Sequence, residues 1–425
     1  MRLTEPPETD VVEYHHDAIL PSRHALAAFV AGYRVPLVAW LLHLALVLAV
    51  AAIGVANFYT LNAVPAIGYA LPPMSGIAHY TIQPLRNWDG FWYALVAVYG
   101  YGVYQASAAF WPLYPFLLRL GIEVTNWSVP VVGVLISNLA FLGALCLLYK
   151  LVTLEVSRPV AARTIWLIAF FPTAFYFSAV YTESLFLLVT VAAVYLARTG
   201  RWWWAGFFGF LAALTRNTGI LILIPLGLLL LQERGWDPRR WWRQALGLTP
   251  VLLGPLLFFA ELKHVWGDPL LTLHAQKGWA RYRAMPWETL QTEWHKLDLA
   301  WLSYLVQHPT WGVLTNPNIR YLFAERQAYD LFIFALFVPL TLYMLWTVRP
   351  AYSLYALVSF VVPLFSPSLV HPLMSYPRFV IVLFPFFIAL AKLTRNRWVF
   401  SLLLALCLVQ FAGLLIQFST WFWVA

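Results

Sequence analysis

Charge is what this sequence has little of. Asp, Glu, Lys and Arg together make up 11% of its 425 residues, less than half of the roughly 25% that dresses the surface of a soluble domain. With 62% hydrophobic residues, no soluble arrangement hides the apolar surface, and a soluble enzyme is excluded. Cysteine is equally scarce. Cys146 and Cys407 each sit inside an apolar run without ligand spacing, which excludes a disulfide framework and a structural metal and leaves them as packing residues. The long runs, such as Pro36 to Ala56 or Ser401 to Phe418, lack the polar–apolar alternation of barrel strands. No His, Asp and Glu cluster has ligand spacing, and His15-His16 lies in the N-terminal tail, so neither a metal nor another cofactor is expected. Met1 to Ser22 is polar and acidic with no apolar core behind a basic start. It therefore does not read as a cleaved signal peptide, and the first span supplies the targeting signal.

What is present is a series of apolar runs. In a hydrocarbon layer about 30 Å thick every backbone donor must be paired within the chain, so runs of about 20 apolar residues become helices. The predicted fold class is all-α, a polytopic membrane protein of about eleven transmembrane helices. The runs are Pro36–Ala56, Pro130–Val152, Ala162–Ala179, Ser184–Ala197, Trp203–Thr215, Gly219–Leu231, Ala245–Leu262, Leu331–Thr347, Tyr352–Leu369, Phe379–Leu390 and Trp398–Phe418. They divide the chain into a tail, 1–35, and a single membrane domain, 36–425, with two long loops, 57–129 and 263–329.

The formal charge of +9 would point to nucleic acid in a soluble protein, but here it is spread along loops and nucleic acid is excluded. With the N-terminus inside, alternate turns hold Lys150, Arg158 and Arg163, then Arg198 and Arg201, then Arg234, Arg239, Arg240 and Arg243, then Arg349, then Lys392, Arg395 and Arg397. Basic residues favour the cytoplasmic side, so both long loops are expected outside. Arg86, Arg119, Arg216 and Arg378 break this pattern. Snorkelling at a helix end accounts for Arg86 and Arg119 as well as any function does. Arg216 and Arg378 lie in very short connections, Thr215-Arg216-Asn217-Thr218 and Ser375-Tyr376-Pro377-Arg378, where a bound anion would compensate the placement.

The first outer loop is predicted to hold two interfacial helices. In Arg86-Asn87-Trp88-Asp89-Gly90-Phe91-Trp92-Tyr93, the residues Trp88, Trp92, Leu95, Val96 and Tyr99 share a helical face. Asp89 is the only acid between Asp17 and Glu123. Two readings of it stand: a first-turn acid complementing the helix dipole, with Asn87 as cap, or a carboxylate held at the membrane interface for chemistry. The second piece is Phe110-Trp111-Pro112-Leu113-Tyr114-Pro115, whose prolines set the entry to a helix too short to span. Further on, Pro172 is expected to kink the third span, and Tyr181, Glu183 and Ser184 put polar groups at its outer end. Glu183 reads equally as the N-terminal acid of the next helix. Glu325 and Asp330 stand near the mouth of the eighth span.

Taken in order, Trp88-Asp89-Gly90, Pro112-Leu113-Tyr114-Pro115, Phe171-Pro172 through Tyr181-Thr182-Glu183-Ser184, Arg216-Asn217 and Ser375-Tyr376-Pro377-Arg378-Phe379 resemble the PIG-V family, the second mannosyltransferases of GPI-anchor assembly and their prokaryotic relatives, within the GT-C glycosyltransferases. The resemblance implies a GT-C-like fold in a plasma membrane, and transfer of mannose or a similar hexose, with inversion, on the extracytoplasmic face. The donor would be polyprenyl-phosphate-linked and the acceptor a hydroxyl of a glycan, glycolipid or protein. It implies Asp89 as general base. Arg378 and Arg216 suit the donor phosphate, because guanidinium forks match phosphate oxygens. Glu183, Tyr181 and Asn217 are further candidates for substrate contacts, and the rings of Trp88, Trp92, Trp111 and Tyr114 suit either stacking on sugar faces or the aromatic belt of a membrane interface, which explains most such residues. One carboxylate suffices, because phosphate leaves as a stable anion and needs no acid, unlike the alkoxide of a glycosidase. The rival reading is a transporter or lipid-sugar flippase, which typically shows repeats and broken helices in two halves; no such repeat is visible. A polymerase or ligase using a diphosphate-linked donor is a third, for which more than two phosphate-binding arginines are expected.

Overall fold

The protein is described by a computed structural model covering residues 32–58, 60, 72–297 and 319–424, with backbone alone for 319–326. The tail up to residue 31, the stretch 298–318 of the second long loop and the side chain of Glu325 lie outside the described residues. By internal contacts the chain divides into Met1–Arg34 and Val35–Ala425. Among the described residues the second unit is helical without a named strand, as the apolar runs require. Among the described residues, the α-helices of six residues or more are α1 (Arg34–Asn57), α2 (Asp89–Tyr99), α3 (Leu113–Thr125), α4 (Val129–Glu155), α5 (Arg158–Ala169), α6 (Glu183–Arg198), α7 (Trp202–Thr215), α8 (Leu223–Arg234), α9 (Trp242–Leu248), α10 (Pro250–Trp266), α11 (Pro286–Lys296), α12 (Ile319–Thr347), α13 (Pro350–Val361), α14 (Tyr376–Ile381), α15 (Phe384–Leu393) and α16 (Arg397–Ser419), and a 3-10 helix, Asn217–Ile222, leads into α8.

Among the described residues, six helical stretches are long and apolar enough to cross a membrane: Arg34–Asn57, Val129–Glu155, Asn217–Arg234, Trp242–Trp266, Gln327–Thr347 and Arg397–Ser419. Further apolar helices, Trp202–Thr215, Pro350–Phe365 and Phe384–Leu393, are shorter. This is an integral, multi-pass membrane protein. The run expected as a third span is a helix only to Ala169. Before Pro172 can be reached the chain leaves the helix, and 170–182 is buried irregular backbone with one 3-10 turn, Ala174–Phe177. Such backbone is tolerated at membrane depth only where protein satisfies it. Here Val180 N–H donates to Leu85 O (2.9 Å), Thr173 Oγ1 to Pro377 O (2.8 Å), Ser184 Oγ to Phe177 O (2.5 Å) and Ser178 Oγ to Asn138 Oδ1 (2.9 Å). His43 of α1 bridges the same region, contacting Ala169 O (2.7 Å) and Ser178 Oγ (3.1 Å).

Small residues let the helices approach. On α7, Gly206 faces the backbone of Gly247 in α9, Gly209 faces Val251, and Ala213 faces Gly254 in α10; lipid tails give helices no hydrophobic reason to pair, so close van der Waals packing has to hold them. α4 packs on α6, α6 on α7, and α5 on α15. The result is a bundle with two differing ends. One carries Glu183, Arg216 and Arg378. The other carries a network in which Glu155 binds Arg198 Nε (2.5 Å), Arg349 Nε (2.9 Å) and the Tyr352 hydroxyl (2.9 Å), while Arg198 Nη1 reaches Glu233 (2.5 Å).

The second long loop folds back over the first end. Residues 280–284 pair with 365–369 through Tyr282 N–H to Pro367 O (3.1 Å), Ala284 N–H to Phe365 O (3.3 Å) and Leu369 N–H to Ala280 O (2.7 Å). α11 docks beside them: Thr289 Oγ1 donates to Leu364 O (2.6 Å), Lys296 Nζ to Leu369 O (3.0 Å), and buried Glu293 accepts from Leu373 N–H (3.1 Å). Asp330 and His371 are buried next to this contact, 3.5 Å apart.

The close packing and the buried acid each lead to a measurable outcome. A Cβ on Gly206 would stand 1.7 Å from Gly247 O, so Gly206→Ala should destabilise the bundle by about 1–3 kcal/mol. Gly227→Ala, in open space on α8, should instead add about 0.5–1 kcal/mol; unfolding of the purified protein in detergent separates the two. Burial pushes the Glu293 carboxyl up to about 7, against the Leu373 and Gln327 hydrogen bonds and the Lys296 charge, which pull it down. The folded protein therefore holds this proton more tightly than the unfolded chain, where the group titrates near 4.5. Its contribution to stability is full below that value and is lost as pH rises towards 7. The thermal midpoint should fall across this window and Glu293→Gln should flatten the fall; an unchanged slope in the variant would assign it elsewhere.

Candidate functional site

The first end of the bundle encloses a cavity of about 780 Å³. Four elements deliver charged groups to it. Asp89 is the first residue of α2, Glu183 the first of α6, Arg216 follows the last residue of α7, and Arg378 lies on α14. Arg378 Nη1 lies 2.6 Å from Asp89 Oδ2, Arg378 Nε lies 2.9 Å from Glu183 Oε1, and Arg216 Nη1 lies 2.8 Å from the same Oε1. Arg216 Nη1 also reaches Thr182 Oγ1 at 3.4 Å. One glutamate thus holds two arginines, and one of those holds the aspartate.

Their environments differ. Glu183 is fully buried, and its Oε2 has no hydrogen-bond partner among the described residues; its work is to fix the two guanidiniums. Asp89 retains 13% side-chain exposure and lines the cavity, with Oδ2 taken by Arg378 and no protein hydrogen bond to Oδ1 among the described residues. Burial opposes the charge on Arg378, but Asp89 and Glu183 outweigh it and raise its pKa well above the ordinary guanidinium value. The rings of Tyr176 and Tyr181 flank the Arg378 guanidinium at 5.6 and 5.3 Å.

Local backbone explains the placement. Trp88 precedes α2 with φ 58° and ψ −121°, a region costly for a bulky residue. Asn87 does not cap the helix, as the dipole reading supposed. Its side chain turns away and donates to Phe418 O (3.0 Å) and Ser419 O (3.3 Å) at the end of α16. Gly90 brings the first turn against Val180 O and the Tyr181 ring, 3.3 Å from where a Cβ would stand. The Tyr181 hydroxyl accepts from Asp89 N–H (3.1 Å) and donates to Asn87 O (2.9 Å), clamping the strained turn. Ser375, at φ 76°, opens α14 in the same way three residues before Arg378.

Of the residues singled out from the sequence, Asp89, Arg216, Asn217, Arg378 and Trp111 line the cavity. Glu183 and Tyr181 stand behind it as supports. Trp88 packs on Trp421 and Trp423. Trp92 is half-buried, stacked on Phe110 (5.9 Å) and meeting Trp279 edge-on (5.1 Å); Leu95 and Val96 on the same helix are buried. Tyr114 is fully buried, hydrogen-bonded to Ser137 Oγ (2.8 Å) and Gly133 O (3.2 Å).

The sequence reading missed the contribution of the second loop. Lys277, Arg281 and Arg283 line the cavity beside the rings of Trp279 and Tyr282. Arg281 Nη1 donates to Ser366 O (2.8 Å) and its guanidinium lies 5.9 Å from the Phe379 ring. It has no carboxylate partner within an ion-pair distance among the described residues. Burial and the neighbouring Arg378 push its pKa down to about 10, with Asp89 opposing them. The signal was the basic–aromatic run Trp279-Ala280-Arg281-Tyr282-Arg283. No group of three or more metal-ligating side chains occurs among the described residues.

The Mannosyltransferase (PIG-V) family model matches residues 73–314. Mouse GPI alpha-1,6-mannosyltransferase 2 is 27% identical over 298 residues, covering 62% of this chain and 56% of that protein. GPI mannosyltransferase 2 of Cryptococcus neoformans is 32% identical over 154 residues, covering 34% and 36%. The chain thus spans about half or less of the length of these relatives. Among solved structures, ArnT from Cupriavidus metallidurans bound to undecaprenyl phosphate aligns with a TM-score of 0.47 and 15% identity, over 92% of this chain and 65% of that one. The family model covers more than half of the sequence and includes Asp89, Glu183, Arg216 and Arg281: the chain belongs to the Mannosyltransferase (PIG-V) family.

Proposed function

We propose that this protein moves a mannose or similar hexose from a polyprenyl-phosphate-linked donor to an acceptor hydroxyl, with inversion, at the extracytoplasmic face of a plasma membrane. The observation that carries the reading is a carboxylate with an open oxygen, Asp89, in one cavity with a guanidinium that forms no ion pair among the described residues, Arg281. Family membership supplies the sugar-transfer class. The sidedness rests on the far end of the bundle, where Arg158, Arg163, Arg198, Arg201, Arg234, Arg349, Lys392, Arg395 and Arg397 gather and which the positive-inside rule puts in the cytoplasm. The acceptor is a glycan, glycolipid or protein.

Asp89 Oδ1 takes the proton of the acceptor hydroxyl as its oxygen attacks the anomeric carbon. The bond from that carbon to the phosphate oxygen breaks on the opposite side, and both its electrons leave with polyprenyl phosphate. The departing anion needs no proton, so one acting carboxylate completes the transfer. Arg378 holds Asp89 in place by its other oxygen. Because Asp89 and Glu183 already offset Arg378 and Arg216, we put the phosphate first on Arg281, with Arg378 and Arg216 presenting their remaining donors. Trp111 and Tyr93 on the cavity wall suit the sugar ring.

A second reading has a specific observation in its favour. Four arginines and Lys277 line the cavity, more positive charge than one phosphodiester requires, which suits a diphosphate-linked donor. Supplying the monophosphate- and diphosphate-linked sugars in separate reactions distinguishes the two, because only turnover of a diphosphate-linked donor releases polyprenyl diphosphate.

Purified protein given polyprenyl-phosphate-mannose should yield free polyprenyl phosphate. Asp89→Asn should lower turnover by about 10²–10⁴-fold while donor retention stays near that of the parent. Arg281→Gln should weaken donor retention by about 10–100-fold, and Arg281→Lys should restore part of it. Full turnover by Asp89→Asn would remove the base assignment, and unaltered donor retention by Arg281→Gln would remove the phosphate anchor.

A further inference from the structure

A second cavity, of about 480 Å³, opens at the far end of the bundle between the end of α4, the start of α5 and the ends of α12 and α15. Its lining divides sharply by chemistry. Val156, Val160 and Tyr343 form an apolar wall, while Arg163, Lys392 and Arg395 supply three cations, and Ser157 and Thr347 supply hydroxyls. No carboxylate lines it among the described residues.

The contrast with the neighbouring network is informative. Arg198 and Arg349, on the same end, are each ion-paired to Glu155 or Glu233. Arg163, Lys392 and Arg395 form no ion pair among the described residues. Arg163 Nε is anchored on Ala391 O (3.0 Å), and Lys392 Nζ donates to Thr347 O. These bonds fix the two side chains at helix ends and leave the rest of their donors to the cleft. Arg395 lies near enough to Lys392 for the like charges to repel. Ser157 precedes α5 without making a side-chain cap bond to it, so its hydroxyl is available to a ligand. Two functions explain such cations without a ligand: charge complementing the helix C-termini and the general excess of basic residues on this side. Neither requires three of them to converge, uncompensated, on one hollow.

We infer that this cleft binds the phosphate of an anionic membrane lipid, with Arg163, Lys392 and Arg395 around the headgroup and the acyl region against Val156, Val160 and Tyr343. Basic hollows between helices at the membrane surface bind lipid headgroups through this combination of point charge and apolar wall. The apolar wall favours a phosphate carried by a lipid over the free ion. The cleft lies at the opposite end of the bundle from Asp89, so occupancy here is independent of sugar transfer.

The test uses the full chain in detergent and native mass spectrometry with phosphatidic acid, phosphatidylcholine and inorganic phosphate as separate probes. The parent should retain phosphatidic acid and not phosphatidylcholine. The double variant R163Q/R395Q should retain phosphatidic acid at least about tenfold less, and R163K/R395K, which keeps the charge, should retain most of it. A thermal unfolding midpoint in detergent equal to that of the parent serves as the check that R163Q/R395Q is folded. Equal retention of phosphatidic acid by the parent and R163Q/R395Q would overturn the inference. So would millimolar inorganic phosphate displacing the lipid completely, which would make this a site for a soluble anion.

Discussion

The rest of the site depends on one buried carboxylate. Glu183 has no access to solvent, and a lone charge in that position would cost several kcal/mol. Two arginines offset it, Arg216 from the end of α7 and Arg378 from α14, and Arg378 then reaches Asp89 on α2. Four segments far apart in sequence are thereby tied at one point. Removing Arg378 would leave Glu183 with half its compensation and Asp89 without its anchor, so the arginine's value lies as much in position as in charge. Helix ends are the natural place for this junction. Their backbone groups are unsatisfied, and irregular chain at membrane depth survives only where protein or a cavity accommodates it.

Backbone strain is concentrated around the same cavity. Five non-glycine residues among those described have positive φ: Trp88, Asn126, Ala280, Ser375 and Trp421. Asn126 ends α3 in a way common for asparagine. The other four adjoin the site. Trp88 precedes Asp89, Ala280 precedes Arg281, Ser375 opens the helix of Arg378, and Trp421 packs against Trp88. Each costs of order 1–3 kcal/mol unless its surroundings over-determine it. Tyr181 clamping the Asn87–Asp89 turn and the paired segments 280–284 and 365–369 are those surroundings. The strain aims three charged side chains into one space.

What the sequence made legible was set by composition and spacing. Apolar runs without alternation force helices, and alternating loop charge separates the two ends of the bundle. Asp89, Arg216 and Arg378 stood out because isolated charges in apolar, short-looped surroundings need partners. The partners themselves were not legible. Nothing local in Tyr181-Thr182-Glu183 says that Glu183 will be fully buried between two arginines distant in the chain, because that pairing is fixed by how α6, α7 and α14 pack. Trp92 reads as an interfacial ring by periodicity, yet the second loop, through Trp279, covers it. Arg281 escaped for the same reason: a basic residue in a long loop carries no signal until the loop is seen to fold back over the bundle end.

The two ends of the molecule obey one electrostatic rule with different outcomes. At the far end Glu155 and Glu233 take up Arg198 and Arg349, and these residues act as joints between α4, α6, α8 and α13. At the site end Glu183 and Asp89 take up Arg216 and Arg378 in the same way. A guanidinium already bound to carboxylate on one edge still presents donors on another, but its net charge is spent. Cations without a carboxylate keep theirs, and at both ends they face hollows: Arg281 at one, Arg163, Lys392 and Arg395 at the other. In a medium that penalises uncompensated charge, a hollow beside such a residue lowers the penalty by giving its charge access to water or to an anion. The distinction between joint and binding group therefore rests on which arginines the protein has left unneutralised, and that is decided by tertiary packing and not by residue type.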